Sequence, residues 1–208
     1  MTPEHAPGSV GRGGADAAGV RAADLGAADV AAAEARAAEV LRVHVRDVPD
    51  FPKPGVVFKD ITPLLATADA FAVVIDHLAA QARAHDVAAV VGIEARGFLL
   101  AAPVAYQIGA SLVPMRKPGK LPGATLAQSY DLEYGAATLE VHADAFAAGS
   151  RVLLIDDVLA TGGTAAAAAS LVRRAGATPT GLAVLMELTF LPGRETVGDL
   201  PVSALMAV

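Results

Sequence analysis

Two adjacent carboxylates, Asp156 and Asp157, follow a run of four aliphatic residues and precede a segment of small residues. A glycine pair in that segment lets backbone N–H groups approach a ligand closely, and a helix that begins there adds positive potential. The hydroxyl groups of Thr161 and Thr164 add hydrogen-bond donors. The pattern predicts a phosphate-binding loop, although not a Walker loop, because the Gly-Lys-Ser/Thr element is missing. The carboxylates beside it can accept hydrogen bonds from sugar hydroxyls while Mg²⁺ bridges to phosphate oxygens.

Candidate cations for a phosphorylated ligand lie in two other segments. Arg96 follows an aliphatic run that ends at Ile93, within a turn that reads Glu-Ala-Arg-Gly. Its guanidinium offers a fork of donors that suits phosphate oxygens. The four lysines of the chain all lie in two irregular segments, at Lys53, Lys59, Lys117 and Lys120. This distribution favours a role in ligand binding, and the alternative is the ordinary preference of lysine for solvated loops.

Strands that alternate with helices must position these groups. Aliphatic runs and alternating residues predict strands over 87–93, 111–115, 136–142, 151–155, 181–187 and 202–208. Helical spacing predicts helices over 29–46, 71–84, 97–109 and 164–175. This order predicts an α/β fold with right-handed crossovers and a mostly parallel sheet flanked by helices. In such a sheet ligands bind beyond the carboxyl ends of the strands, so Arg96 and the two aspartates are expected at one edge.

Prolines and glycines interrupt this pattern twice. They break the first helical pattern and predict an irregular segment over 47–63. They also predict a long loop over 117–130. The wider segment to residue 134 is longer than most structural loops and is expected to act as a lid. It carries Tyr130, Glu133 and Tyr134.

Length and composition limit the remaining possibilities. The chain has 208 residues, 54% of them hydrophobic, which suits one ordinary domain with a large core. The absence of cysteine excludes disulfides, thiolate metal sites and cysteine nucleophiles. A net charge of −6 argues against a general nucleic-acid binder. The sequence has neither a secretory signal nor an apolar run of about 20 residues, so we expect a cytoplasmic protein without a membrane partner.

The first 28 residues differ from the rest of the chain. They are rich in alanine and glycine, lack Phe and Tyr, and show no apolar period. Such a stretch buries too little surface to offset the entropy of ordering, so 1–28 is predicted to be a disordered extension. The remaining residues, 29–208, are predicted to form the domain.

The signature at 156–164, in which Asp-Asp is followed by Ala-Thr-Gly-Gly-Thr, resembles the phosphoribosyl pyrophosphate motif of type I phosphoribosyltransferases. Four further segments, at 48–63, 92–98, 116–122 and 130–135, are similar to the adenine phosphoribosyltransferase family. They read VPDFPKPGVVFKDITP, GIEARGF, RKPGKLP and YDLEYG. The resemblance covers about residues 40–208. Ala95 departs from it, because the family usually has Ser there, and one side-chain hydroxyl contact is lost.

The resemblance implies a reaction and a fold. The reaction is reversible transfer of the 5-phosphoribosyl group from phosphoribosyl pyrophosphate to adenine, which forms AMP and pyrophosphate in purine salvage. The implied fold is the type I phosphoribosyltransferase fold, with a small N-terminal hood mainly at 40–65 and a flexible lid loop. The implied cofactor is Mg²⁺, bound mainly through the substrate, with no direct protein ligand predicted. A homodimer is also implied, because the basic stretch 116–120 of this family reaches the pyrophosphate of a neighbouring subunit.

The resemblance also assigns roles to individual residues. It assigns binding of phosphoribosyl pyrophosphate to Arg96, Arg116, Lys117, Lys120, Asp156, Asp157, Ala160, Thr161, Gly162, Gly163 and Thr164. It assigns adenine binding to Val57, Phe58 and Lys59, with Phe58 stacked on the base and the backbone of its neighbours reading the Watson–Crick edge. Lid closure is expected to bring Glu133 to the purine as a general acid/base at the imidazole nitrogens.

Two alternatives remain open at this point. One is a different purine substrate, such as hypoxanthine or guanine, and the segment around Phe58 favours adenine only by resemblance. The other is a non-catalytic regulator that senses phosphoribosyl pyrophosphate. Such regulators usually add a basic DNA-binding domain and lose the lid acid, whereas this chain keeps Glu133 and has no basic N-terminal region.

Overall fold

The computed structural model describes residues 27–131 and 136–208. The helices are α1 (Ala27–His44), α2 (Thr62–Ala66), α3 (Ala68–Ala84), α4 (Arg96–Ile108), α5 (Gly163–Arg174) and α6 (Gly193–Val197). The strands are β1 (Arg46–Val48), β2 (Phe58–Asp60), β3 (Ala89–Ile93), β4 (Ser111–Met115), β5 (Thr125–Asp131), β6 (Ala136–His142), β7 (Arg151–Leu159), β8 (Thr178–Glu187) and β9 (Val202–Ala207).

A five-stranded sheet in the order β4-β3-β7-β8-β9 forms the centre of the domain. All four neighbouring pairs run parallel, which confirms the predicted sheet. Strand β7 lies in the middle, and its residues alternate between two apolar cores because successive side chains point to opposite faces. Leu153 and Ile155 pack with α1, α3 and α4, whereas Val152 and Leu154 pack with α5. The sheet is therefore buried on both faces, as parallel sheets require.

Two antiparallel pairs lie outside this sheet. Strands β1 and β2 form the hood, in which ion pairs join Arg46 to Asp60 and Lys59 to Asp47. Asp60 also accepts hydrogen bonds from the side chain and the backbone N–H of Thr62, and these bonds lower the pKa of Asp60 to about 2. Strands β5 and β6 form the lid hairpin, and residues 132–135, which follow β5 in the chain, lie outside the described residues.

Several predicted boundaries were wrong. The segment 47–63 was expected to be irregular, yet it contains β2 and the start of α2, and the first helix ends at His44 and not at residue 46. Strand β8 begins at Thr178, before the predicted start at residue 181.

The segment 117–130 was expected to be a loop throughout, yet β5 begins at Thr125, because the prolines and glycines that break regular structure all precede that residue. Strand β7 was expected to end at Ile155, yet it continues to Leu159 and pairs with Met186 and Glu187 of β8. Asp is uncommon in strands, so the aspartate pair indicated that the strand ends before it. The aliphatic residues that follow the pair nevertheless form sheet contacts with β8, and these contacts extend the strand. The carboxylates consequently lie within a strand, and not in the loop after it.

Candidate functional site

Asp156 and Asp157 occupy the carboxyl-terminal half of β7. Asp157 is 3% exposed and Asp156 is half-buried. Oδ1 of Asp156 accepts a hydrogen bond of 2.9 Å from the backbone N–H of Asp157. Oδ2 of Asp157 lies 2.9 Å from Nη1 of Arg96, but no N–H points at it, so this buried oxygen has no hydrogen-bond donor among the described residues.

The environment of this pair disfavours two negative charges. Burial raises the pKa of both carboxyl groups. The charge of Asp157 raises the pKa of Asp156 further, whereas the Arg96 guanidinium opposes the rise in the pKa of Asp157. The pair is therefore suited to a ligand that brings hydroxyl donors or positive charge.

The small-residue segment 160–164 turns directly from β7 into α5. Gly162 has a φ of +85°, which favours glycine, and no side chain caps the first turn of the helix. The uncapped N–H groups at the start of this 12-residue helix are therefore available to an anion. A cavity of about 80 Å³ lies here, and it is lined by Asp156, Val158, Leu159, Ala160, Thr161, Gly162, Thr164, Ala165, Leu182 and Val184. The structure thus places a short turn with uncapped N–H groups at 160–164 and brings Asp156 to it.

A second glycine supports this segment, and its role was not predicted from the sequence. A Cβ at Gly193, the first residue of α6, would lie 2.5 Å from the carbonyl oxygen of Ala160. A Cβ at Gly162 would in turn lie 2.5 Å from the carbonyl oxygen of Gly193. The two backbones therefore touch without side chains between them. Arg194 fixes α6 through two hydrogen bonds from Nε and one from Nη2 to the Glu187 carboxylate, at 2.7–2.9 Å.

Arg96 connects the aspartates to the hood. Its Nη1 donates a hydrogen bond of 3.3 Å to the carbonyl oxygen of Lys59, and its guanidinium lies 4.7 Å from the centroid of the Phe58 ring. Close packing makes this possible, because a Cβ at Gly97 would lie 2.6 Å from the carbonyl oxygen of Ile155. The predicted base-binding segment and the predicted ribose-binding carboxylates therefore meet at one guanidinium. Val57, at the edge of the hood, is 52% exposed.

The basic stretch 116–120 forms a separate group, held by Glu94 at the carboxyl end of β3. Oε2 of Glu94 accepts a hydrogen bond of 2.9 Å from the backbone N–H of Lys117 and one of 3.2 Å from Nε of Arg116. The bond from the Lys117 backbone, followed by the Arg116 side chain, lowers the pKa of Glu94. Lys117 and Lys120 are exposed. In the sequence Glu94 is only part of a turn, and no role was predicted for it.

The lid hairpin contacts α5 near both of its ends. The hydroxyl of Thr164 lies 3.2 Å from that of Tyr130, and Nη1 of Arg174 donates a hydrogen bond of 2.7 Å to the carbonyl oxygen of Ala127. Glu133, the predicted acid/base, lies outside the described residues. None of the helices in the described part of the chain has the length and apolar character that a membrane span requires.

Comparisons with known proteins show the family to which the chain belongs. A family model described as a phosphoribosyl transferase domain matches residues 65–194. An adenine phosphoribosyltransferase from Frankia casuarinae is 66% identical over 169 residues, which cover 81% of this chain and 90% of that protein. The solved structure of the Thermoanaerobacter pseudethanolicus adenine phosphoribosyltransferase is 46% identical, with a TM-score of 0.80 over 82% of this chain and 99% of that one. The Saccharomyces cerevisiae enzyme, solved with adenine and an imino-altritol bisphosphate, is 38% identical, with a TM-score of 0.78 over 83% of this chain and 99% of that one. This chain belongs to the adenine phosphoribosyltransferase family.

Proposed function

We propose that the cleft between the hood and the carboxyl edge of the sheet carries out the reaction of this family. That reaction transfers the 5-phosphoribosyl group from phosphoribosyl pyrophosphate to adenine and forms AMP and pyrophosphate. The observation that carries the proposal is the position of Arg96, whose guanidinium contacts Asp157, Phe58 and the Lys59 backbone at once. Subsites for ribose, pyrophosphate and base therefore adjoin each other, as a direct transfer requires.

The phosphoribosyl end of the substrate fits the region around β7. Asp156 and Asp157 accept hydrogen bonds from the ribose hydroxyls, and charged acceptors make such bonds strong. The backbone N–H groups of Ala160, Gly162 and Gly163, with the hydroxyls of Thr161 and Thr164, bind the 5′-phosphate. An oxocarbenium-like transition state at the ribose gains from the nearby carboxylates, because preorganised charge stabilises the charge that develops during the reaction.

The residues of this site fit Mg²⁺ held mainly through the substrate. The carboxylates of Asp156 and Asp157 carry more negative charge than Arg96 offsets, and Oδ2 of Asp157 has no hydrogen-bond donor among the described residues. No three His, Asp or Glu side chains in the described ranges are grouped as a metal centre. When bound, Mg²⁺ stabilises the negative charge that develops on the leaving pyrophosphate. Arg96, Lys117 and Lys120 supply the cationic charge that meets the substrate, and Arg116 adds positive charge beside them.

Adenine fits the hood segment 57–59. The ring of Phe58 offers a stacking face, and the backbone of Val57 and Lys59 offers donors and acceptors for the Watson–Crick edge. Hydrogen-bond recognition of this kind rejects a wrong base strongly, because the unmatched polar groups would stay unpaired. Glu133, carried over the cleft by the lid hairpin, exchanges a proton with an imidazole nitrogen of the purine.

A homodimer completes the proposal. Leu99 and Tyr106 lie two turns apart on one face of α4 and are 49% and 91% exposed. Leu112, on the edge strand β4, is 46% exposed. An exposed edge strand is normally covered, and the basic stretch 116–120 follows it directly. A second copy on this face would bring that stretch towards the neighbouring site. The cytoplasmic location stays a prediction.

The test is pyrophosphate release with adenine, hypoxanthine and guanine, measured in parallel with Mg²⁺ and phosphoribosyl pyrophosphate. We expect release that depends on adenine and is much slower with the other two bases. Equal use of the three bases would contradict the adenine assignment, and no release with any base would contradict the catalytic one.

A further inference from the structure

Glu94 ties together two segments that the proposed function assigns to pyrophosphate. It directly precedes the turn that carries Arg96, and its side chain is 14% exposed. Its Oε2 accepts hydrogen bonds from the backbone of Lys117 and from the side chain of Arg116. One carboxylate oxygen therefore sets the distance between the turn and the basic stretch.

The Arg116 side chain is 34% exposed, but groups of the protein hold it. In addition to the bond with Glu94, its Nη1 donates a hydrogen bond of 3.2 Å to the carbonyl oxygen of Lys120. Its guanidinium lies 5.8 Å from the centroid of the Phe98 ring. Its backbone exchanges hydrogen bonds of 2.9 and 2.7 Å with Glu140, whose side chain accepts a further bond from the N–H of Gly119. Arg116 thus holds the conformation of its own loop, 116–120.

The two lysines of the loop differ from Arg116 in this respect. Lys117 and Lys120 are exposed, and neither forms an ion pair with the residues that the structure describes. Their ammonium groups are the charges of this loop that remain available to an anion. Their position depends on the backbone that Glu94, Glu140 and Arg116 hold.

We propose that Glu94 is a positioning residue for pyrophosphate, which acts by fixing the loop so that Lys117 and Lys120 meet the anion. Arg116 acts with it as an internal brace. The inference rests on the assignment of these lysines to pyrophosphate in the proposed function. It applies equally whether the loop serves its own subunit or a neighbour.

The proposal predicts an effect opposite in sign to simple electrostatics. Removing a negative charge near an anionic ligand should strengthen binding, and it would also free the Arg116 guanidinium. If Glu94 acts by positioning, its removal should weaken binding instead, because the lysines are no longer held in place. The sign of the change therefore separates the two explanations.

The experiment compares Glu94→Ala, Glu94→Gln and the control Glu39→Gln, which removes an exposed partner of Arg42 on α1. Calorimetry measures the Kd of phosphoribosyl pyrophosphate with Mg²⁺, and the Kd of AMP, which lacks pyrophosphate. We expect Glu94→Ala to raise the Kd of phosphoribosyl pyrophosphate by about tenfold or more and to leave the Kd of AMP unchanged. Glu94→Gln keeps an acceptor for the Lys117 N–H, so it should raise the Kd of phosphoribosyl pyrophosphate less. The control should change neither Kd.

A double-mutant cycle with Lys117→Ala tests whether Glu94 acts through the loop. If it does, Glu94→Ala should cost much less affinity in the Lys117→Ala background than in the unaltered chain. Three outcomes would each overturn the proposal. One is unchanged or tighter binding of phosphoribosyl pyrophosphate in both Glu94 variants, and another is an equal loss of affinity for AMP. The third is full additivity of the losses caused by Glu94→Ala and Lys117→Ala. If Glu94→Ala does not fold, Glu94→Gln alone decides by the same criteria. The unaltered chain's use of adenine is measured separately, so failure of the proposed function would be recognised as such.

Discussion

Asp156 and Asp157 hold two carboxyl groups close together and away from water, an arrangement that favours ligand binding over stability. The pKa of Asp156 in the folded chain lies well above its ordinary value of 3.8, because of burial and then of the Asp157 charge. In this case the folded chain binds more protons than the unfolded one between the two pKa values, so stability falls as the pH rises through that window. At neutral pH the charged pair costs stability.

Asp156→Asn should therefore raise Tm at pH 8 while it lowers activity. The amide keeps an acceptor for the Asp157 N–H and removes one charge, and each kcal/mol gained would raise Tm by about 2–4 °C in a chain of this size. Near pH 4, where both carboxyls approach protonation, the difference in Tm from the unaltered chain should shrink. Thermal melts at both pH values check this, with Asp199→Asn, an exposed carboxyl, as control. A lower Tm at pH 8 would contradict the account of the pair.

Glu133 and Asp157 should differ in which step they affect. Glu133→Gln should lower kcat by roughly 10²–10⁴, the usual contribution of a general acid/base, and should barely change the Kd of phosphoribosyl pyrophosphate. Asp157→Asn should weaken that Kd, because an amide accepts sugar hydroxyls less strongly than a carboxylate does. Calorimetric titration with Mg²⁺, alongside kcat with adenine, separates the two. If Glu133→Gln lost affinity for phosphoribosyl pyrophosphate but kept its kcat, the lid would contribute to binding only and not to acid/base catalysis.

At the scale of elements, the phosphate-binding segment depends on the contact between β7, α5 and the short helix α6. Gly193→Ala should push the Ala160 carbonyl away, because a Cβ there would lie 2.5 Å from its oxygen and 2.8 Å from Cγ of Leu159. We expect the Kd of AMP to rise by about tenfold, as for other small displacements of binding groups. Gly149→Ala is the matched control: its φ of +74° makes alanine destabilising, but nothing lies within 4 Å of the added Cβ. Gly149→Ala should lower Tm without weakening AMP binding. Equally weakened AMP binding in Gly149→Ala and Gly193→Ala would refute a specific role for Gly193.

The sequence predicted the elements whose signals are local. The aliphatic runs of β3 and β7 indicated the sheet, and the two glycines where α5 begins indicated the phosphate-binding loop. Residues whose role depends on distant partners were missed. Gly193 matters only because the carbonyl of Ala160 lies against it, and Glu94 only because 116–120 folds back onto β3. The strand β5 was missed because its alternation competes with the turn residues just before it.

At the scale of the whole molecule, the N-terminal boundary stays a prediction that truncation can test. A chain that starts at Asp29 should keep its Tm and activity, because the residues before it lack an apolar period. A chain that starts at Arg46 should lose both, because Ala37 and Leu41 of α1 are fully buried in the core. Melting curves and the adenine assay check both truncations. A drop of several degrees in the first would show that the extension contacts the domain.

The subunit arrangement is the second property at this scale. Sedimentation of the unaltered chain should give about twice 20.9 kDa. Tyr106→Glu places a charge on the proposed interface face of α4 and should give a monomer with reduced activity, because burial of an unpaired charge is costly. Phe190→Glu, at a residue that is 74% exposed and outside α4 and β4, should stay a dimer. A fully active monomer in either the unaltered chain or Tyr106→Glu would contradict a site shared between subunits.

The contact between Tyr130 and Thr164 also gives the protein an optical property. The chain has no tryptophan and three tyrosines, so its near-ultraviolet emission comes from phenol rings alone. Two of these, Tyr130 and Tyr134, belong to the lid segment, and the hydroxyl of Tyr130 lies against the first turn of α5. Replacing Tyr106 by Phe would leave no phenol outside that segment. The intrinsic fluorescence of such a chain would then follow the lid and the phosphate-binding loop without any attached dye.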